Sequence, residues 1–593
     1  MGQSIPITDY KNLRALRTKV HQDNRLANSS LRRIYGLDTE THGGDIFLIA
    51  DSDGQFLDEI TPDLCLDFLF SRRFQGTWNF FYYLTHDAEV ILKLLGEELN
   101  SYKKTGSLRF SYEKYVLDYI PGRRLAIRKG NKSAVFFDIA QFYHTSLVDA
   151  YTKNIGRLPE DYLLMKKIRS EFSPRFYIRN KTKVRNYCIA DCIYTKQLAK
   201  HWIELFYNIT LFYPARWISS GYLAGKVLKN NDIDVPKFDS VPYSVQELAY
   251  RSYFGGRFEI LKRGFIGTVF LYDINSAYPY ALTKIPDITK GTWISSKKIQ
   301  NDAVLGFFKV LIDVLDTQYI PPLAFRANHN IIFPSGKFVT YCTLADLLAC
   351  KNVKYKILES FQFIPDVLVF PFKDFIEKMY TKRVQLQQND DPRQLPLKIL
   401  LNSIYGKTGE KVNGRIGNLF NPVLFATIPG ITRAQLYEFV CTNGLEKEVV
   451  SFATDSICLT RDLGIDSKEL GQYSLKAKAT DGFFLQNGFY RLNGKWKQRG
   501  LGHLGAKDIE HLVTYEKNEK LFYKFKMTRS GRLRSSILQN SISEIGKFKT
   551  IEREVNLNAD RKRFWLGTIR SIDDKIMNES MPLSLNYFSK ELI

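Results

Sequence analysis

Asp273-Ile274-Asn275-Ser276-Ala277-Tyr278-Pro279 closes an apolar run, 265–274, and sets a carboxylate at the end of a strand-like segment. Two later stretches give it meaning. Lys398 opens a segment that continues through Asn402-Ser403-Ile404-Tyr405-Gly406, and Phe452-Ala453-Thr454-Asp455-Ser456 supplies a second carboxylate beside apolar sequence. On a 3.6-residue helix Lys398, Asn402 and Tyr405 share one face. An isolated Asp at a strand end is usually a turn former. Two of them flanking a helical lysine, in this order, are the minimum apparatus for metal-assisted nucleotidyl transfer.

Working outward, 370–388 and 393–405 read as helices, and 449–460 as two strands around a tight acidic turn with Asp455 at its tip. The N-terminal part alternates differently. Residues 33–38 and 45–50 read as strands around His42-Gly43-Gly44. A strand is expected over about 77–84, a helix from Asp87 to about Leu95, a strand at 135–139, and a long helix from Lys183 to about Tyr207. This is an α/β pattern led by an acidic strand end. Asp38 and Glu40 alternate on a strand and share a face. Tyr187 and Asp191 stand at i and i+4 of a helix.

The chain of 593 residues has room for three or four domains. We divide it into an extension 1–32, a first domain 33–209, a second block 210–488 and a C-terminal part 489–593. The formal net charge is +23, which points to a polyanionic partner, with a merely solubilising surface as the alternative. Tyr523-Lys524-Phe525-Lys526-Met527 alternates apolar and basic residues, so one face can pack while Lys524 and Lys526 meet phosphates. The seven cysteines form no CxxC pair, a usage expected of a reducing compartment. No signal-peptide pattern or membrane-length apolar run is present, so a soluble intracellular protein without membrane contact is expected.

The ordered triple resembles motifs A, B and C of the family B DNA polymerases, DxxSLYP, KxxxNSxYG and YxDTDS. Motif B matches at every fixed position; Ala277 replaces Leu in motif A, and Ala453 stands where motif C has its first Asp. The resemblance implies a multidomain α/β fold: an RNase H-like 3′–5′ exonuclease domain followed by a right-hand polymerase. Palm and fingers, with an insertion between motifs A and B, would occupy 210–488, and the thumb 489–593. Asp273 and Asp455 would hold Mg²⁺, with Mn²⁺ as an alternative, and dNTPs would be the substrates. Lys398 and Arg383 would meet the triphosphate. Tyr278 would be the steric gate against a ribose, and Asn402 and Tyr405 would line the nucleotide site. Tyr253-Phe254-Gly255-Gly256-Arg257 resembles the YxGG motif that touches template phosphates. Arg433 falls where the family carries a primer-contacting arginine. Lys495, Lys497 and Arg499 resemble the segment that grips the primer end.

In the first domain, Asp38-Thr39-Glu40 resembles Exo I, Tyr187 through Asp191 matches YxxxD, and Asp87 fits the remaining carboxylate, with Tyr83 replacing the usual asparagine. Asp38, Glu40, Asp87 and Asp191 would bind metal and Tyr187 would orient the attacking water. Ser146-Leu147 resembles a single-strand-binding motif, or is a helix start with Ser146 as N-cap.

The short stretch before Asp38, together with Tyr319-Ile320-Pro321-Pro322-Leu323 and Phe333-Pro334-Ser335-Gly336, looks like the protein-primed group of phages, archaeal viruses and linear plasmids. That likeness implies a monomer acting on a DNA template-primer, with a terminal protein as first primer and a single-strand-binding or helicase helper. The location would be the cytoplasm of a prokaryotic host, or an organelle carrying a linear plasmid. The interval 406–433 is short, so the template-encircling hairpin of that group is expected to be reduced and strand displacement weak. Nucleic-acid priming, or none, and a nuclease with a weakened polymerase half remain the alternatives.

Overall fold

The computed structural model describes residues 28–328, 330–351, 353–412, 415–499, 513–517, 520–556, 560–569 and 575–585. The N-terminal half of the fold is an eight-stranded sheet. Its centre is the strand Ile34–His42, which pairs antiparallel with Asp45–Asp51 and parallel with Trp78–Phe81. Trp78–Phe81 in turn pairs parallel with Lys132–Asp138, and three further antiparallel strands complete that edge. The hairpin turn at His42 is tight because Gly43 and Gly44 both take positive φ, 59° and 83°.

The long helix Lys181–Thr210 covers this sheet. Its buried side chains, Val184, Tyr187, Cys188, Asp191, Cys192 and Thr195 among them, recur at helical spacing. The helix lies directly on strand backbone at Gly36, where an added Cβ would stand 1.9 Å from the Cys192 carbonyl oxygen. That contact sets the height at which Tyr187 and Asp191 face Asp38 and Glu40. The helix expected from Asp87 begins earlier, at Leu84, so Asp87 lies within its first turn.

The second half is built on a nine-stranded sheet. Lys262–Ile274 runs through its middle, flanked by Ser456–Leu459 and Tyr473–Gln486. The helices Lys373–Gln388, Gln394–Thr408 and Pro422–Thr442 stand beside it. A four-stranded antiparallel sheet, Gly291–Ser295, Lys354–Pro365, Leu305–Val314 and Gly336–Thr343, is inserted between the first and second of the three sequence motifs. In the interval 406–433 the chain passes from the helix Gln394–Thr408 to the helix Pro422–Thr442 through a ribbon of two-residue strands, Lys411–Val412 and Arg415–Ile416.

The part expected as one thumb, 489–593, is divided. Phe489–Leu492 and Lys495–Gln498 extend the central sheet. Val513–Lys517, Lys520–Ser530 and Phe548–Asn556 form a separate antiparallel sheet. Between the last two of these strands, Leu533, Ile537 and Ile545 enter the core of the N-terminal domain. The chain then returns: Met577–Pro582 pairs with Lys262–Gly264, and buried Arg563 bonds Glu259 at 2.9 Å. Among the described residues no helix is long and apolar enough to cross a membrane.

Candidate active sites

Asp273 is brought to Asp455 by strand pairing. Asp273 lies opposite Ser456, and the Ile274 N–H donates to the Asp455 carbonyl at 2.9 Å. The turn between the antiparallel strands Val449–Thr454 and Ser456–Leu459 is tight: Ala453 pairs with Ser456, so only Thr454 and Asp455 lie between that pair. Thr454 is therefore forced to φ 71°, a strained value for a β-branched residue. Burial raises the Asp273 carboxyl above its ordinary value, opposed by Lys476, Lys497 and Lys398. Burial, and then the Asp273 charge, push Asp455 up to about 6. Two crowded acids facing exposed lysines form an electrostatic site for divalent cations and phosphate oxygens.

The helix Gln394–Thr408 presents Lys398 and Asn402 to solvent on the face that also carries Tyr405. Arg383, on the preceding helix, donates to Ser276 Oγ at 3.0 Å. The Tyr278 and Tyr405 rings lie 4.4 Å apart; Tyr405 stacks on Phe425, and Phe425 on Tyr253. Lys495 and Lys497 are exposed on alternate positions of the strand Lys495–Gln498 and Arg499 is exposed just beyond its end, while Trp496 packs at 5.3 Å on Phe489. Lys476 was not singled out from sequence, although Leu475-Lys476-Ala477-Lys478 shows strand-period alternation.

Several residues proposed for nucleic-acid contact are turned inward. Arg257 is 1% exposed, bonded to Glu259 at 2.7 and 3.0 Å and held between the Phe333 and Phe452 rings. Arg433 is 4% exposed and bonds both oxygens of Asp346, at 3.1 and 2.6 Å, and the Gly255 carbonyl. Gly256 faces Thr454, whose Cα would lie 2.9 Å from an added Cβ. The glycine pair thus serves the acidic turn: Gly256 lets its backbone close in, and Gly255 anchors Arg433. Tyr253 is stacked within the aromatic group already described. Ser146 caps the helix Leu147–Asn154 by accepting the Asp149 N–H, and Leu147 is buried, so the helix-start reading describes both. Lys524 pairs with Glu552 and Glu554 of the neighbouring strand, and Lys526 lies opposite Glu552. The acids missing from that basic strand are supplied across the sheet.

The second cluster lies between the N-terminal sheet and its long helix. Asp38, Glu40, Asp87 and Asp191 converge there, all buried. The Asp38 carboxyl is raised well above the ordinary range by burial first, then by Asp191 and Asp87. Burial pushes Glu40 up to about 7 and Asp87 to about 6. Thr39 Oγ1 donates to Asp87 at 2.6 Å. Asp38 Oδ2, Glu40 Oε1 and the Tyr187 hydroxyl are buried without a hydrogen-bond partner. Acceptor oxygens left bare inside a protein suit a cation.

Sequence reading missed the other groups around this pocket. Tyr162 donates to Asp191 and stacks on Tyr187, Lys166 reaches Asp191 at 3.4 Å, and Arg169 reaches Glu40 at 3.3 Å. Asp138, at the end of Lys132–Asp138, accepts the Tyr83 and Ala140 N–H groups and is pushed by burial up to about 7. Its position at a strand end was the available signal.

A family model described as DNA polymerase type B, organellar and viral, matches residues 135–416. A DNA polymerase of Acidianus bottle-shaped virus (isolate Italy/Pozzuoli) is 24% identical over 543 residues, 82% of this chain and 78% of that protein. A probable DNA polymerase of Ascobolus immersus is 25% identical over 270 residues, 44% of this chain but only 21% of that protein. Phi29 DNA polymerase, solved with primer-template DNA and incoming nucleotide, overlays with a TM-score of 0.62 at 14% identity, covering 89% of this chain and all of that one. Its orthorhombic crystal form gives 0.56 at 15% identity, covering 79% and 89%. The chain has the multidomain α/β fold expected of it, and that fold is shared with Phi29 DNA polymerase.

Proposed function

We propose that this chain, a likeness of the organellar and viral type B DNA polymerases in sequence and of Phi29 DNA polymerase in fold, is a DNA-directed DNA polymerase with a 3′–5′ exonuclease. The observation that carries the polymerase reading is the strand pairing that sets Asp273 beside Asp455 in front of Lys398, Lys476 and Lys497. The primer 3′-oxygen bonds to the α-phosphorus of a dNTP, pyrophosphate leaves, and the hydroxyl proton passes to solvent. Mg²⁺ or Mn²⁺ bound by Asp273 and Asp455 would favour the alkoxide and neutralise the triphosphate. Lys398 and Arg383 supply positive charge to the phosphates. Tyr278, backed by Tyr405, closes the sugar side against a 2′-hydroxyl. Lys495, Lys497 and Arg499 hold the primer backbone.

In the second pocket Asp38, Glu40, Asp87 and Asp191 would hold the cations for hydrolysis of the primer terminus, and Tyr187 would orient water. Lys166 and Arg169 balance the acids. Protein priming is favoured by the four-stranded insertion between motifs A and B, a surface suited to a terminal protein whose hydroxyl accepts the first dNMP. The two-residue ribbon at 411–416 favours reliance on a helper for strand displacement.

Extension of a labelled primer on a template, with dNTPs and Mg²⁺, tests the central reading. Growth of the primer that requires Asp455 is expected. Wild-type protein that binds the duplex but adds no nucleotide would overturn it.

A further inference from the structure

Cys188 sits next to Tyr187 on the long helix, fully buried, and its thiol points at the strand that carries Asp38 and Glu40. One ligand atom from each of Asp38, Glu40 and Cys188 lies within 4.8 Å of the others. Among the described residues no other such group of three metal-ligating side chains occurs. The thiol has only sulfur-type hydrogen bonds to give up: a 3.8 Å contact to the Asp38 carbonyl and the neighbouring Cys192 thiol. Cys192, one turn on, adjoins that thiol and bonds the Ala50 carbonyl at 3.2 Å, and it belongs to no group of metal-ligating side chains among the described residues. Asp38 Oδ2 and Glu40 Oε1 are buried and unpartnered, so two oxygen ligands already stand bare in front of the sulfur.

We propose that Asp38, Glu40 and Cys188 form a mixed oxygen–sulfur site for a thiophilic divalent cation, Zn²⁺ above all, which silences strand degradation while leaving synthesis at the palm untouched. Hard Mg²⁺ takes oxygen ligands in octahedral geometry and has no use for the thiol. Zn²⁺ accepts carboxylate and thiolate together in a tetrahedral set with bonds of roughly 2.0–2.3 Å. Ligand atoms at those bond lengths lie roughly 3.3–3.5 Å apart in a tetrahedral set, so side chains now spread over up to 4.8 Å close in by about 1 Å around the ion. Binding costs one proton: the Cys188 S–H bond breaks, the zinc–sulfur bond forms and H⁺ leaves to solvent. Two carboxylates and a thiolate leave the zinc complex with one net negative charge, which Arg169 at 3.3 Å from Glu40 can balance. An ion held by sulfur at the strand–helix contact is drawn away from the position that a metal-activated water needs. At the palm the metal-facing acids are Asp273 and Asp455, and no thiol joins them in a ligand group. The two activities should thus separate in their metal tolerance.

The proposal shares its pocket with the nuclease reading but is tested without it. The full chain is loaded with Co²⁺, a spectroscopic stand-in for Zn²⁺, and scanned for the near-ultraviolet sulfur-to-cobalt charge-transfer band. The wild type and Cys192→Ser should show the band; Cys188→Ser should not. Zn²⁺ added under Mg²⁺ should inhibit primer degradation in the wild type, and Cys188→Ser should need at least about tenfold more, the scale for losing even a supporting partner of a metal ligand. Primer extension by Cys188→Ser reports that the variant is folded; Cys188→Ala serves if it is not. A band that survives in Cys188→Ser, or equal zinc sensitivity in both proteins, would overturn the proposal. A sulfur band in a protein that degrades no strand would uphold this site and sink the nuclease reading; degradation without any band would do the opposite.

Discussion

Arg433→Met separates two accounts of one arginine. The family resemblance gives it a primer contact, which for an arginine would be with the phosphate backbone; the structure gives it Asp346, at 2.6 and 3.1 Å, with the two side chains 4% and 5% exposed. Methionine keeps an unbranched apolar stem in place of the arginine's but removes the guanidinium, which leaves Asp346 charged, buried and without its counter-ion. Asp346 cannot swing out to water, because it also accepts the Thr343 N–H and hydroxyl at the start of the helix Leu344–Ala349. Breaking a buried pair on one side typically costs about 3–5 kcal/mol. At about 2–4 °C per kcal/mol for a unit of 150–250 residues, that is a fall in Tm of roughly 6–20 °C. Asp346→Asn in the same chain keeps an acceptor for Thr343 and removes the stranded charge, so the double variant should recover about 1–3 kcal/mol. Calorimetry of the four proteins of the cycle measures this. Duplex affinity across a salt series supplies the contrast. An arginine on a phosphate contributes about 0.9 to the slope of log K against log salt. The slope should not change in Arg433→Met. An unchanged Tm with a slope lowered by about 0.9 would refute the structural account.

Asp455→Asn should abolish primer extension and leave primer degradation, while Asp38→Asn does the reverse; a gel assay with and without dNTPs reads both. Gly256→Ala drives a Cβ to 2.7 Å from Thr454 Cγ2 and 2.9 Å from its Cα, an overpacking of about 1–3 kcal/mol, so extension should fall with degradation intact. Lys497→Ala should weaken primed-duplex binding for all sequences alike and lower the salt slope by about 1, seen by fluorescence anisotropy. In chelator, Glu40 titrates near 7 in the folded chain and near 4.5 when unfolded, so the folded state holds the extra proton between those values. Its stabilisation is full below 4.5 and lost as pH rises through 7, on the order of 3 kcal/mol. The Tm of the N-terminal domain should therefore drop over that window, less steeply in Glu40→Gln, and Mn²⁺ should restore it only on the alkaline side. A chelated wild type that gained stability across the window would contradict the buried-acid geometry.

How much of this was legible in sequence depends on how local each determinant is. Strand alternation announced Asp38 with Glu40, and helical spacing announced Tyr187 with Asp191 and Lys398 with Asn402; in each case one element carries both members. The pairing of Asp273 with Asp455 was readable because each closes a strand and the tight turn leaves Asp455 few places to go. Arg257 and Arg433 were misread for the converse reason. A guanidinium beside glycines reads as a phosphate contact until its partner is known. Glu259 is close in sequence, but Asp346 lies on a helix 87 residues from Arg433, and nothing in either segment announces the other. The basic strand that carries Lys524 and Lys526 differs from these two arginines: both lysines are exposed, and Glu552 and Glu554 arrive beside them on the next strand. The thumb boundary failed because the last segment is not one unit. Its middle donates Leu533, Ile537 and Ile545 to the first domain's core, and its end hydrogen-bonds into the strand that leads to Asp273. A chain end that ties both halves of the molecule together has no compositional mark. Each of its stretches carries the pattern of the domain it joins, and only the closed fold shows that the two candidate sites are held in one frame by residues remote from both.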